Sequence, residues 1–590
     1  MAEKIVSPGV FLRENDLSFV QPAPAEAGTL FIGPAVKGPI EEPTVVTSYN
    51  EYVRKFGSTF KSGSDTYEFM TSMAVRSFFS QGGTTALVTR VVNGTFGAAT
   101  STNLASVNQG STVPFTLQSL GKGTIYNNST AANDPGAQNA DGSLSLGTPD
   151  NLRWEVSNVN SAKGTFTLTV RRGDDNTNNK IILETFSNVS LDPKADNYIE
   201  RVIGNQTMVK STDGTSVFLS KVGEYPNRSN FVRVSAVNLK TPDYLANDGK
   251  TINEDANGNA WSDYLPVAAS GSFYGGLGDV YMTAGANYYE NIDSTANNMQ
   301  GLVGANYNDA ISILSNKDDY QFNVVTAPGL IYSNGASYAD GKGAINSLIS
   351  LAEGRGDCIA VVDLVEKGST IAGVTSQADA VNTSYGAAYW PWLQVASETG
   401  KNVWVPASTV IPGVYAFTDA SAAPWFAPAG LVRGGLVGVL DVERKLPTSS
   451  RDTLYEAKVN PIATFPGAGI AVFGQKTLQT KASALDRVNV RRLLIELKKF
   501  FADQARNLVF EQNTISTRNN FLAAVNPYLE SVVSRNGLYS YRVIMDDTNN
   551  TADVIDRNQL IGQIYIQPAK TAEFIVLDFT IEPTGATFAA

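Results

Sequence analysis

The sequence predicts a multidomain protein of mixed class, α/β and α+β, with a discontinuous core, mostly β inserted outer domains and extended terminal arms. Three observations carry this reading. Short apolar strands alternate with helical patterns in two separated stretches, the first over 27–92 and the second from about residue 321. Between them the composition shifts to Asn, Thr, Ser, Gly and Asp, with few helical patterns. Both ends carry apolar residues in extended segments that one domain does not readily bury. At 590 residues the chain is also longer than one core usually holds.

Residues 1–26 read as an extended arm. Val6, Val10, Phe11 and Leu12 are strand-like, and Pro8, Gly9, Pro22 and Pro24 interrupt them. The first core part, 27–92, opens with GTLFIG (28–33), a buried-type strand. Thr44–Val46 follows, then a short helix beginning at Ser48 and ending at Gly57. A second helix is predicted from Asp65 to Ser80, stopped by Gly82 and Gly83. ALVTRVV (86–92) is the next strand.

Residues 93–320 read as one or two mostly β insertions displayed on the surface. GTFTLTV (164–170) alternates at period two, a polar turn follows, and KIILETF (180–186) returns, which predicts a hairpin. Two motifs here are weak. Asn253, Asp255, Asn257 and Gly258 mimic the start of a calcium loop, but position twelve is Tyr264 rather than a bidentate Glu. Arg172, Gly173 and Asp174 form an RGD triplet that its turn position already explains.

The second core part, 321–446, resumes with a strand at 322–325, a helix at 344–353 and CIAVVDLV (358–365), a continuous apolar run expected of a strand buried on both faces. Asp363 sits near that strand's end, where open sheets often hold ligands, and a structural role is the favoured reading. The stretch 447–570 reads as a C-terminal domain. Its glycine-punctuated half holds a short strand at 469–473, and its other half is the clearest helix in the chain. Val490, Leu493, Leu494, Leu497, Phe500, Phe501 and Leu508 form an apolar stripe; Arg491, Arg492, Lys498 and Lys499 fall mostly on other faces, and Asp486 is read as the N-cap. A helix over 517–534 and strands at 539–545 and 558–566 follow. Residues 571–590 form the C-terminal arm, with a strand at 573–582.

Composition excludes several functions. The net charge of −11 argues against general nucleic-acid binding, which needs a basic surface. The absence of histidine removes His-based acid/base catalysis, Ser-His-Asp triads and His-ligated metals. The single cysteine, Cys358, lies in an apolar run and reads as a buried inert thiol. No cofactor, metal or catalytic site is indicated. MAEKIVSPGVFLREN lacks the apolar core of a signal peptide, and no run of about 18 apolar residues occurs, so cytoplasmic folding without membrane insertion is expected.

Separated stretches then resemble one family. They are SPGVFLREND, GTLFIGPAVKGPIEEPTVVTSYNEYVRKFG, AVRSFFSQGGTTALVTRVV, GDCIAVVDLV, APWFAPAGLVRG, NPIATFPGAGIAVFGQKTL, NVRRLLIELKKFF and the closing QIYIQP and FIVLDFTIEP. Their order and spacing resemble the tail sheath proteins of contractile-tailed bacteriophages, across most of 1–92 and 355–590. The resemblance implies a structural subunit, not an enzyme. Copies would polymerise around a tail tube and contract to drive the tube through a host envelope. It implies self-assembly, contacts with tube, baseplate and tail terminator proteins, assembly in the host cytoplasm and a place in the virion. Terminal arms of neighbouring subunits would join a sheet in a third. Val6, Val10, Phe11 and Leu12 would form one arm; Phe574, Ile575, Val576, Leu577, Phe579 and Ile581 the other. Leu560, Ile561, Ile564 and Ile566 would form the acceptor strand. Arg492, Lys498 and Lys499 would offer contacts to an acidic tube. A sheath of a related contractile injection system, or a surface adhesin, are the alternatives.

Overall fold

A computed structural model describes residues 27–573, apart from 63–64, 103, 111, 133, 215, 280–299 and 334–338. Its centre is an eight-stranded sheet. The strand order is Thr44–Val46, Ala86–Arg90, Ala27–Gly33, Phe322–Ser333, Ile359–Val365, Gly386–Trp390, Val459–Phe465 and Gly469–Val472. The six inner strands pair in parallel, and each edge strand pairs antiparallel to its neighbour. Parallel strands need crossovers, and the helices Met70–Ser80, Ala339–Arg355 and Ile371–Asp379 supply them. Burial on both faces explains why Ala86–Arg90, Ile359–Val365 and Gly386–Trp390 are buried throughout and are mostly apolar, with Thr89, Arg90 and Asp363 the buried polar exceptions among them.

The chain leaves this sheet after Ala86–Arg90 and returns at Phe322–Ser333. The intervening residues build a second core between two four-stranded sheets. One holds Ile182–Ser190, Thr165–Arg172, Leu152–Asn160 and Ala269–Gly271; the other holds Val232–Val237, Phe115–Lys122, Ala98–Ser101 and Phe273–Tyr274. Phe115 and Phe166 stack at 5.5 Å, and Trp154, Leu168, Val234 and Phe273 complete an apolar interior. The predicted hairpin is the Thr165–Arg172 and Ile182–Ser190 pair. In its turn Arg172 and Asp174 bond to each other at 2.5 Å, so the RGD triplet closes on itself. The calcium-like loop is likewise a hydrogen-bonded turn: Asp255 accepts from Tyr264 Oη and from the backbone N–H groups of Asn257 and Asn259.

Arg90 ties the two cores together. It is fully buried, and its guanidinium donates to the carbonyls of Ala35 (3.1 Å), Gly38 (2.8 Å) and Lys122 (2.8 Å). Burial without a carboxylate partner pulls its pKa down to about 10. Gly38 is required in this turn: at φ +103° an added Cβ would meet the Lys55 carbonyl at 2.8 Å.

A third layer follows the central sheet. Helices Val488–Arg506 and Ile515–Ser534 pack with a two-stranded sheet, Leu538–Ile544 and Gln563–Pro568, around Leu493, Leu497, Phe521, Val525 and Leu529. Phe500 and Tyr528 stack at 3.8 Å across the layer.

Three sequence expectations are corrected. Asp65–Glu68 is a strand paired with Thr59–Ser62, and the helix begins at Met70; Phe60 and Tyr67 contact each other across the pair. Asp486 does not cap the long helix. It ends a 3-10 turn, Ala484–Asp486, capped by Ser483, and Arg487 occupies the N-cap position of Val488–Arg506. The first turns of that helix are buried on more faces than one stripe allows: Arg491 and Arg492 are buried, Ile495 is core, and Leu494 is only partly buried.

Candidate self-association surfaces

The two-stranded sheet Leu538–Ile544 and Gln563–Pro568 ends just before the C-terminal root. Among the described residues neither strand has a second sheet partner, so both outer edges keep unpaired backbone donors and acceptors. A strand pair alone is marginal in water, and this one relies on the helices it packs against. Alternation sets its faces. Ile564 and Ile566 pack on the apolar cluster, while Tyr565 and Tyr539 are exposed.

Of the expected acceptor residues, Ile564 and Ile566 lie in the strand, whereas Leu560 and Ile561 precede it. The reason is local. The buried Asn550 side chain accepts from Ile561 N–H (2.9 Å) and donates to Ile561 C=O (2.8 Å), taking the groups a ladder would use. Leu560 still packs against the apolar cluster. The expected arms, Val6, Val10, Phe11 and Leu12 at one end and Phe574, Ile575, Val576, Leu577, Phe579 and Ile581 at the other, lie outside the described residues.

The root of the C-terminal segment is described, and a carboxylate clasp holds it. Glu573 accepts from Arg487 Nε (2.7 Å) and Nη2 (3.0 Å), Gln475 Nε2 (3.0 Å) and Tyr455 Oη (2.8 Å). Gln475 also donates to Thr571 Oγ1 at 2.6 Å. Burial alone would raise the Glu573 pKa; the bonds from Arg487, Gln475 and Tyr455 outweigh it and hold the carboxyl below its ordinary range. The three donors come from separate places: helix Thr448–Glu456, the segment after strand Gly469–Val472, and the N-cap of the long helix. Sequence reading missed this site. Glu573 was visible only as one residue of an alternating strand, and its partners lie 86 to 118 residues away.

The expected tube contacts divide. Arg492 is buried, pairs with Asp419 at 2.5 Å and lies 4.6 Å over the Tyr415 ring, so it is removed from the candidates for an exposed contact. Lys498 is exposed and donates to Tyr385 Oη at 3.0 Å, and Lys499 is partly buried.

Asp363 is buried near the C-terminal end of strand Ile359–Val365, one strand away from the point where the strand order reverses, and accepts from Ser408 N–H (3.1 Å) and Ser408 Oγ (2.5 Å). Burial pushes its pKa up to about 7 against those two bonds. The cavity beside it holds about 10 Å³, room for no more than a water. Asp363 is thus a packed structural acid.

Among the described residues the site is thus a pair of open strand edges beside a clamped chain end. Comparisons with known proteins give it a family context. Residues 300–478 match the phage tail sheath protein central domain, and residues 480–582 the phage tail sheath C-terminal domain. The tail sheath protein of Vibrio phage KVP40 is 32% identical over 350 residues, covering 54% of this chain and 51% of that protein. That of Enterobacteria phage T4 is 38% identical over 187 residues, covering 32% of this chain and 28% of that protein. The solved sheath tail protein of Listeria innocua shares the fold at a TM-score of 0.50 and 11% identity, covering 92% of this chain and 96% of that one. Residues 300–478 and 480–582 thus carry the central and C-terminal domains of the phage tail sheath family. The chain spans about half the length of the Vibrio phage relative and a smaller part of the T4 protein.

Proposed function

We propose that this chain is the structural subunit of a contractile phage tail sheath: it polymerises around a tail tube and contracts to drive that tube through the host envelope. The observation that carries the proposal is the two-edged strand pair Leu538–Ile544 and Gln563–Pro568, standing beside a chain end whose root is fixed by Glu573. An extended segment from a neighbour adds to such an edge through main-chain hydrogen bonds, and its alternate side chains set register. The 17 residues after Glu573 and the 26 before Ala27 are the segments assigned to neighbours. Tube, baseplate and tail terminator proteins are the proposed further partners, Lys498 and Lys499 are the remaining candidates for tube contact, assembly in the host cytoplasm is the proposed route, and the virion tail is the proposed location.

Contraction in this reading draws on new contacts between copies. About 1 kcal/mol per subunit, the scale of one added hydrogen bond, becomes roughly 100 kcal/mol over about a hundred copies. The test is deletion of residues 571–590, or of 1–15, followed by sedimentation at high concentration. Each deletion is expected to leave a folded monomer, checked by its thermal melt, that no longer forms fast-sedimenting polymer. Normal polymer from either deletion would overturn the arm assignment.

A further inference from the structure

A second surface shares no residue with the C-terminal strand pair. Between the central sheet region and the inserted β region runs a cleft of about 820 Å³. One wall is the 38–44 turn and helix Tyr49–Phe56; the other comes from strands Phe115–Lys122, Thr207–Asp213, Ser216–Val222 and Val232–Val237. Its lining holds six cations, Arg54, Lys55, Lys122, Lys210, Lys221 and Arg233, against one carboxylate, Glu42.

Some of that charge is already answered. Lys55 pairs with Glu51 at 2.9 Å, and Lys210 with Asp309 at 2.6 Å and Glu41 at 3.1 Å. Arg233 donates to the Asn205 carbonyl and the Gln118 side chain. Arg54, Lys122 and Lys221 have no carboxylate within 4 Å among the described residues, and Arg54 and Lys221 are exposed. Glu42 is pushed toward its neutral form by burial, while Lys122 and Lys221 pull the other way. The cleft is therefore more positive than its one acid can balance.

The chain around it has the opposite sign. With the acids that already answer Lys55 and Lys210 counted in, six cations face four carboxylates (Glu42, Glu51, Glu41 and Asp309), a net +2 within a chain of −11, which leaves −13 on everything else. The surface most complementary to the cleft is thus the rest of the same protein. We propose that this cleft receives an acidic surface of a second copy of the chain, forming a contact between neighbours that is separate from strand addition. The inference rests on the self-association reading above. It adds a salt-sensitive contact made by the junction of the two cores, the same junction that Arg90 braces through Gly38 and Lys122.

The test uses the full chain carrying Lys221→Cys. Cys358 is buried, so a benzophenone maleimide attaches at position 221. Irradiation is expected to give a covalent dimer crosslinked to an Asp- or Glu-rich peptide of the second copy. Its yield should fall several-fold between about 0.05 and 0.5 M NaCl, as screening shortens the reach of exposed charge. It should fall a further several-fold, the scale of one exposed ion pair, when Arg54→Glu is added to a chain whose melt is unchanged. A dimer yield indifferent to salt and to Arg54→Glu overturns the proposal. So does saturable binding of inorganic phosphate with no crosslink, which would make the cleft a small-anion site. If microscopy shows tubes but no crosslink forms, the cleft proposal alone fails. If neither tubes nor crosslinks form, the self-association reading fails and takes this one with it.

Discussion

Glu573→Gln isolates the clasp at the root of the C-terminal segment. The substitution preserves shape and removes the charge that Arg487 meets through two nitrogens at 2.7 and 3.0 Å. Hydrogen bonds to charged groups contribute about 1.5–3 kcal/mol net. Both partners are partly reached by solvent, with side-chain exposures of 24% and 17%, so the lower part of that range applies. Gln keeps one acceptor for Arg487 and loses the one that serves Tyr455 Oη. A loss of about 2 kcal/mol corresponds to roughly a 30-fold rise in the open population of the root. Lys570 is exposed and sits just before the clasp, and the Ala569 N–H bonds to the Gly537 carbonyl at 3.1 Å. Limited trypsin cleavage after Lys570 at pH 7 therefore reports opening. The expected result is cleavage about 30-fold faster in the variant, with little change in the melting temperature of the body. The sign with pH is fixed by the lowered pKa: the clasp stabilises above the ordinary carboxylate range and is lost as pH falls through the folded-state value. Cleavage within about twofold of wild type, against the 2 kcal/mol above, would refute the clasp as an anchor.

The other predictions concern the framework. Asp363 has the opposite linkage: its folded pKa of about 7 exceeds its unfolded value, so between about pH 4 and 7 only the folded state holds the proton, and stability falls as pH rises through that window. Asp363→Asn should therefore gain on wild type by up to about 4 kcal/mol between pH 4 and 8, read by melts at both pH values; an equal gap at both would contradict it. Arg90→Met removes the guanidinium donors to the carbonyls of Ala35, Gly38 and Lys122, of which Gly38 keeps the Lys122 N–H, and should cost about 3 kcal/mol in urea unfolding. Leu497→Ala opens a cavity in the C-terminal layer and should cost about 3 kcal/mol, with hydrogen exchange speeding up in 488–568 and not in the central sheet.

Elements whose signal is local were legible in the sequence. The run 358–365 announced a doubly buried parallel strand because every residue in it is apolar or small except Asp363. The 164–186 hairpin showed its period, and the helix 488–506 showed its stripe. Features fixed by distant partners were not legible. Arg491 and Arg492 look like solvent-facing charges in any helical projection, and their burial depends on Tyr385, Ser384, Tyr415 and Asp419 from other elements. Asp65–Glu68 was read as a helix start because apolar residues follow it, and its pairing with Thr59–Ser62 decided otherwise. The Arg90 brace and the Glu573 clasp join residues 32 to 118 positions apart, and no spacing rule reaches that far.

Electron microscopy of the purified full chain at high concentration tests the central claim most directly. The account predicts hollow tubes or stacked rings built from this chain alone, with a lumen wide enough for an inner tube. Particles that stay monomeric at every concentration and salt would contradict it.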